Sequence, residues 1–178
     1  GGTTLCFVRA WFLPPHPPYL VPAPYHDLYD PADVPAPRRL ADPAAQGAVP
    51  PLVALALAFD EVRAPADDLE VRQLRATYYG MITEVDAQLG RVLDLLDAAG
   101  QARHTVVVVT SDHGEQLGDQ WLIEKLGFFD ASYHIPLIVR WPGRATPGTV
   151  VDVPTANVDI VPTLAQAMGQ PVPFGGGG

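Results

Sequence analysis

Residues 105–115 read T-V-V-V-V-T-S-D-H-G-E, four valines between two threonines followed by Ser111, Asp112, His113, Gly114 and Glu115. A short β-branched run of this kind is the signature of a strand buried on both faces. The residues before it read as a helix. Over 67–99, Leu74, Tyr78, Ile82, Val85, Leu89, Val92 and Leu96 recur at spacings of three and four and form one apolar stripe. Asp67 and Asp68 supply a cap and negative charge to its first turn, and Gly100 stands where a helix-ending glycine belongs. A helix followed by a buried strand is half of an α/β alternation.

In open α/β sheets, ligands bind at the carboxyl ends of strands, which is where S-D-H-G-E falls. Aspartate and histidine are both good ligands for a divalent cation. Neighbouring residues on a regular strand point to opposite faces, so both reach one ion only if the backbone turns there. Gly114 makes that turn easy. Taken alone, the triplet reads rather as Asp112 capping a turn beside a satisfied polar His113.

Working outward, residues 135–141 read as a second buried strand, and 159–168 as a helix with Pro162 in its first turn and Gly169 at its end. Residues 5–13 are apolar and aromatic apart from Arg9 and read as a further buried strand, with Cys6 a core thiol. Between 13 and 66 lie thirteen of the twenty prolines. Proline fixes φ and removes a donor, so this stretch is expected to be irregular. Tyr19, Tyr25 and Tyr29 make it a packed surface loop rather than a linker. Gly1-Gly2 and the run of four glycines from Gly175 read as trimmed or artificial boundaries, with any targeting segment outside them. There is no internal repeat.

Of the 178 residues, 48% are hydrophobic, enough for one packed domain or a piece of one. A net charge of −9 without a basic cluster argues against nucleic acid and anionic membranes as partners. The longest apolar run, 52–59, falls far short of the roughly 20 residues of a membrane span. A single cysteine excludes an internal disulfide and points to a reducing, cytoplasmic setting. If so acidic a chain handles an anionic substrate, the positive charge must be local.

Four stretches, in order, resemble the sulfatase family within the alkaline-phosphatase-like superfamily. They are F-L-P-P-H-P-P-Y from Phe12, Y-Y-G-M-I-T-E-V-D-A-Q-L-G-R from Tyr78, T-S-D-H-G-E-Q-L-G-D through W-L-I-E-K-L-G-F-F-D to I-P-L-I-V-R-W-P-G, and V-D-I-V-P-T-L around Asp159. The wording G-D-x-W-L…K…F-D is most similar to the phosphonate monoester hydrolase and arylsulfatase branch. The resemblance covers residues 5–170. It implies an α/β fold, a sandwich of a mostly parallel sheet between helices. Residues 1–178 would then be an incomplete portion of one catalytic domain.

The resemblance also implies chemistry. Asp112 and His113 become ligands of one divalent ion (manganese, calcium or magnesium). His16 and Lys125 become the groups that hold a sulfate, phosphonate or phosphate ester, the small-molecule substrate. The family's nucleophile is a formylglycine made within C-x-P-x-R. Here the only cysteine reads Cys6-Phe7-Val8-Arg9, without the proline, so the nucleophile and the remaining metal ligands are expected in a preceding segment, and this portion alone is expected to be inactive.

Gln120 and Glu124 depart from the family pattern, which more often has histidine and glycine there. Glu124 also stands beside Lys125, where it can partly neutralise it. Asp119 and Asp130 read either as partners that orient the ligands or as solvated carboxylates. His26, His104 and His134 read as loop, connection and strand-edge residues. A homo-oligomer is compatible with the resemblance. Two alternatives stand beside the hydrolase: a non-catalytic relative that keeps the fold, and a two-metal phosphatase or phosphodiesterase of the same superfamily, which needs more histidines than follow His113.

Overall fold

A computed structural model describes residues 6–47 and 51–172, which fall in two units: 12–145, and the described parts of 1–11 with 146–178. The larger unit is organised on the long helix. Asp67 is extended and its carboxylate accepts the Leu69 N–H at 2.8 Å, and the helix, Asp68–Ala98, starts from that cap. It stops as its glycine predicts. Gly100 has φ +67°, and the N–H groups of Gly100 and Gln101 donate to the carbonyls of Asp97 and Leu96 at 2.9 Å each.

The proline-rich segment holds two short helices, α1 (Pro43–Gly47) and α2 (Pro51–Leu57), which makes the long helix α3. This corrects the expectation of irregular backbone throughout 13–66. Both begin at a proline, the helical position where a missing N–H removes no intrahelical bond.

The deepest face of α3 is not the predicted stripe. Val71, Arg75, Ala76, Gly80 and Met81 are buried, whereas Ile82 and Val92 are exposed. The proline-rich segment lies against these residues. Gly80 admits its closest approach, since a Cβ there would stand 2.3 Å from the Tyr25 carbonyl oxygen. Arginines on α3 gather its carbonyls. Arg75 donates from Nη1 to Pro35 O at 3.0 Å and Ala36 O at 3.2 Å, and Arg72 donates to Val34 O at 2.5 Å. Tyr29 meets α3 through Thr83 Oγ1 at 2.8 Å and a ring contact with Tyr79. The segment is a packed loop, as its aromatics predict.

Ala56, Val62 and Leu122 form the buried cluster, with Leu57 and Phe129 packed on it. Here 62–64 and 121–123 run antiparallel. Ala64 N–H donates to Trp121 O at 2.9 Å and Ile123 N–H to Val62 O at 2.8 Å. Arg39 closes over this junction, its guanidinium 3.8 Å from the Trp121 ring centroid and 2.5 Å from Asp68.

Strand β1 (Val107–Thr110) pairs antiparallel with β2 (Leu137–Arg140), Val107 facing Arg140 and Thr110 facing Leu137. A one-turn helix, α4 (Asp130–Tyr133), precedes β2. The valines of β1 are half-buried rather than buried on both faces, and Leu137, Ile138 and Val139 of β2 are exposed. Among the described residues these strands pair only with each other, and a two-stranded ribbon covers little of its own surface.

In the smaller unit, α5 (Ile160–Ala167) carries Pro162 in its first turn, and Gly169 follows at φ +66°. The expected strand over 5–13, which runs across the boundary of the two units at 11–12, is absent from its described part, 6–13 (Leu5 lies outside the described residues). Phe7, Val8, Trp11 and Leu13 are exposed, and Cys6 is a free, exposed thiol rather than a core one. An apolar run needs a pairing neighbour to become a strand, and none is available among the described residues. No helix among them is long and apolar enough to cross a membrane.

Candidate functional site

The chain leaves β1 at Thr110, whose Oγ1 donates to Pro136 O at 2.9 Å and ties the strand's end to the approach of β2. The next residues fold on themselves. Ser111 Oγ donates to His113 O at 2.5 Å, and the Asp112 carboxylate accepts the His113 N–H at 3.0 Å. Gly114 then passes against α4, its N–H donating to Ser132 O at 2.8 Å, while Glu115 N–H donates to Ala131 O at 2.9 Å. Sequence reasoning assigned Gly114 to a turn. Its role here is close approach: a Cβ would lie 2.2 Å from Ala131 O.

His113 Nδ1 lies 2.8 Å from Gly114 O. A carbonyl only accepts, so Nδ1 carries the proton and Nε2 presents its lone pair, the tautomer of a metal-binding imidazole. Asp112 is exposed and His113 half-buried. One carboxylate and one imidazole in this state suit a divalent ion. Among the described residues, no three His, Cys, Asp or Glu side chains gather as a metal-binding group.

The other two predicted residues meet beside it. His16 and Lys125 are 109 positions apart, yet Lys125 Nζ lies 3.3 Å from His16 Nε2. His16 Nδ1 is 3.0 Å from Pro17 O, which leaves Nε2 to accept from the ammonium. The His16 and His113 rings stand edge to face with centroids 5.8 Å apart. An ammonium has three protons, so Lys125 keeps donors for a second partner. Glu124 Oε2 lies 3.7 Å from Nζ, close enough for the partial neutralisation expected from the sequence.

Sequence reasoning passed over Glu115 and Tyr19. Glu115 is buried, and its Oε1 accepts the N–H groups of Glu124 and, at 3.3 Å, Leu117. Burial pushes its carboxyl above the usual range, while those two amide bonds pull it back. The buried Tyr19 hydroxyl lies near the Glu115 carboxylate without a well-formed hydrogen bond among the described residues, and burial followed by the Glu115 charge pushes its phenol well up. The same two causes, in that order, push Tyr78 up to about 12. The available signal was the glutamate directly after D-H-G and a tyrosine three residues after His16.

The loop that follows Glu115 is strained. Leu117, Gln120, Trp121, Glu124 and Phe128 all take φ between +50° and +64° without being glycine. Such residues persist where surrounding contacts over-determine them, commonly at functional sites. Asp119 is one of those contacts. It pairs with Arg75 and accepts Arg38 N–H at 2.7 Å, while Arg75 Nε donates to Leu117 O at 2.8 Å. It is therefore neither a ligand-orienting group nor a solvated carboxylate. Asp130 begins α4 and is exposed. His26, His104 and His134 are exposed and occupy a loop turn, the α3–β1 connection and the end of α4.

The sequence pattern of the sulfatase family matches residues 7–170. The chain belongs to the sulfatase family. It is 38% identical over 180 residues to the multifunctional alkaline phosphatase superfamily protein PehA of Trinickia caryophylli, covering 94% of this chain and 35% of that protein. It is 32% identical to a choline-sulfatase of Rhizobium meliloti (strain 1021), over 89% of this chain and 30% of that one. Among solved structures, the phosphonate monoester hydrolase of Silicibacter pomeroyi superposes with a TM-score of 0.83 at 41% identity, covering 89% of this chain and 33% of the other. The chain thus spans about a third of the length of these relatives. Its fold is an incomplete portion of the α/β, alkaline-phosphatase-like sulfatase fold, as the sequence reading expects.

Proposed function

We propose that this chain forms the anion-binding side and part of the metal site of a hydrolase acting on small sulfate, phosphonate or phosphate esters. The observation that carries the reading is the 3.3 Å approach of Lys125 to His16, with His113 of the D-H-G turn at the same place. A chain of net charge −9 here concentrates an ammonium and two imidazoles on one spot. Asp112 and His113 would hold one divalent ion, which supplies Lewis-acid stabilisation of negative charge when bound.

The rest is done by side chains of this chain. Lys125 donates to a non-bridging oxygen of the ester head with the protons that His16 does not engage. His16, between Pro15 and Pro17, accepts one ammonium proton at Nε2 and so aims the others at the ester; protonated at Nε2 as an anionic ester enters, it donates to the head group as well. Donors held in place this way act most strongly where negative charge builds up during transfer. The nucleophile is proposed to be a formylglycine contributed from outside these residues, since Cys6 lacks the C-x-P-x-R context.

In the full-length protein, Lys125→Ala and His16→Ala are each expected to lower kcat on a nitrophenyl phenylphosphonate or nitrophenyl sulfate by about 10²–10³-fold. Their metal content should match the parent. Asp112→Ala and His113→Ala should lose bound divalent ion by elemental analysis. Parental kcat in both anion-site variants would remove the anion-binding role, and parental metal content in the other two would remove the metal assignment.

A further inference from the structure

The proposed site is carried by three segments, 16–19, 112–115 and 124–125, and the Glu115 side chain stands among all three. We propose that Glu115 is a positioning residue that sets Lys125 at the anion site by clamping the backbone N–H of Glu124. The proposal rests on the reading of Lys125 as an anion-binding group.

Both backbone polar groups of Glu124 are held by this one short stretch. Its N–H donates to Glu115 Oε1, and its carbonyl accepts the Gln116 N–H at 2.9 Å. Glu124 needs holding, because φ +62° is a left-handed conformation that a residue with a Cβ avoids. Leu117, at φ +50°, donates to the same carboxylate oxygen at 3.3 Å. Lys125 is the next residue along, so the orientation of the Glu124 peptide decides where its ammonium arrives.

The clamp is itself anchored. Glu115 is only 9% exposed, and its own N–H is bonded to α4. A carboxylate this buried is tolerated when its oxygens are engaged, and here backbone amides of the lysine loop engage one of them. Two residues before it lies His113, and near its carboxylate lies the Tyr19 hydroxyl, three residues after His16. Glu115 thereby fixes the lysine loop relative to the segments of the other site residues without touching the substrate position itself.

Two conservative variants separate acceptor position from charge. Glu115→Gln keeps an acceptor oxygen at the same reach, whereas Glu115→Asp keeps the charge but withdraws it by one methylene, about 1.5 Å. In the full-length protein, Glu115→Asp is expected to lower kcat/KM on nitrophenyl phenylphosphonate by roughly tenfold to a hundredfold, the effect of misplacing a catalytic group by an ångström or so. Glu115→Gln should restore most of that loss, and metal content should be unchanged in both. In a Lys125→Ala background, Glu115→Asp should cost little more. An equal fold loss from Glu115→Asp in both backgrounds would make Glu115 a general scaffold residue and overturn the proposal. Glu115→Gln as damaging as Glu115→Asp would overturn it too, since an acceptor oxygen at the right reach would then not be enough. Parental activity in Lys125→Ala alone would sink the reading of Lys125 itself and is distinguishable from either.

Discussion

Gly114→Ala tests whether the D-H-G turn is built on close backbone contact rather than on a glycine-specific dihedral. The added Cβ would meet Ala131 O at 2.2 Å, Ala131 C at 3.1 Å and Ser132 Cα at 3.2 Å, all backbone atoms that cannot swing aside as a side chain does. Restoring an ordinary 3.4 Å contact requires a separation of about 1.2 Å between the turn and α4. The two hydrogen bonds that join them are 2.8 and 2.9 Å long. A further ångström takes both past the limit of a useful bond. Each lost bond is worth about 1 kcal/mol net, and more where a buried amide is left without a partner, so a loss of about 2–5 kcal/mol is expected. Chemical denaturation of the full-length variant measures it, and elemental analysis should show weakened metal retention because His113 moves with the turn. Gly90→Ala is the matched control. It lies inside α3 with no described atom within 4 Å of the added carbon, and should gain up to about 1 kcal/mol from helix propensity. A Gly114→Ala protein as stable as its parent would refute the close-contact account.

Three further outcomes follow from the surroundings of the site. Arg75→Ala strips the cation from Asp119, leaving it only the Arg38 amide, and the donors from Leu117, Pro35 and Ala36, so a loss of about 3–5 kcal/mol is expected by denaturant midpoint. Glu124→Gly relaxes a φ of +62° and removes the carboxylate 3.7 Å from Lys125, so KM for an anionic ester should fall by no more than about fivefold, in keeping with a weak, partly exposed pair. Steady-state kinetics would show the opposite sign if Glu124 helped to bind substrate. Tyr78 is held neutral to about 12, above its ordinary 10.0. Its contribution to stability is therefore complete below pH 10.0 and lost as pH rises towards 12. Tyr78→Phe should flatten that part of the alkaline stability profile and remove one late phenolate transition from an ultraviolet titration; an unchanged profile would count against it.

The parts legible in the sequence are those decided by local chemistry. Asp67, Gly100, Pro162 and Gly169 act through their own backbone neighbours, and α3 and α5 end where they indicate. Strand identity was legible for β1 and β2, but burial was not, because it depends on which elements cover a strand rather than on its valines. The same applies to residues 6–13, where an apolar run has no described neighbour to pair with. His16 and Lys125 could be named only through resemblance. No spacing rule connects residues 109 apart, and the structure supplies their 3.3 Å approach.

The acidic residues around the site show most clearly what a sequence withholds. Asp119 and Glu115 both follow the D-H-G turn within a few positions, and neither differs from the other in type enough to reveal its duty. Their partners decide. Asp119 meets Arg75, a cation already committed to three backbone carbonyls, and so fixes the proline-rich segment to α3. Glu115 meets no described cation and accepts from two amides in left-handed residues. A buried carboxylate balanced by these amides and a nearby phenol, with no described cation beside it, stabilises one arrangement of the loop that supplies the amides, and loses much of that stabilisation in any other. The loop so fixed carries Lys125. Strain at Leu117 and Glu124 and burial at Glu115 are each unfavourable alone; they are compatible because each supplies what the other lacks, a donor for the acid and a holder for the backbone.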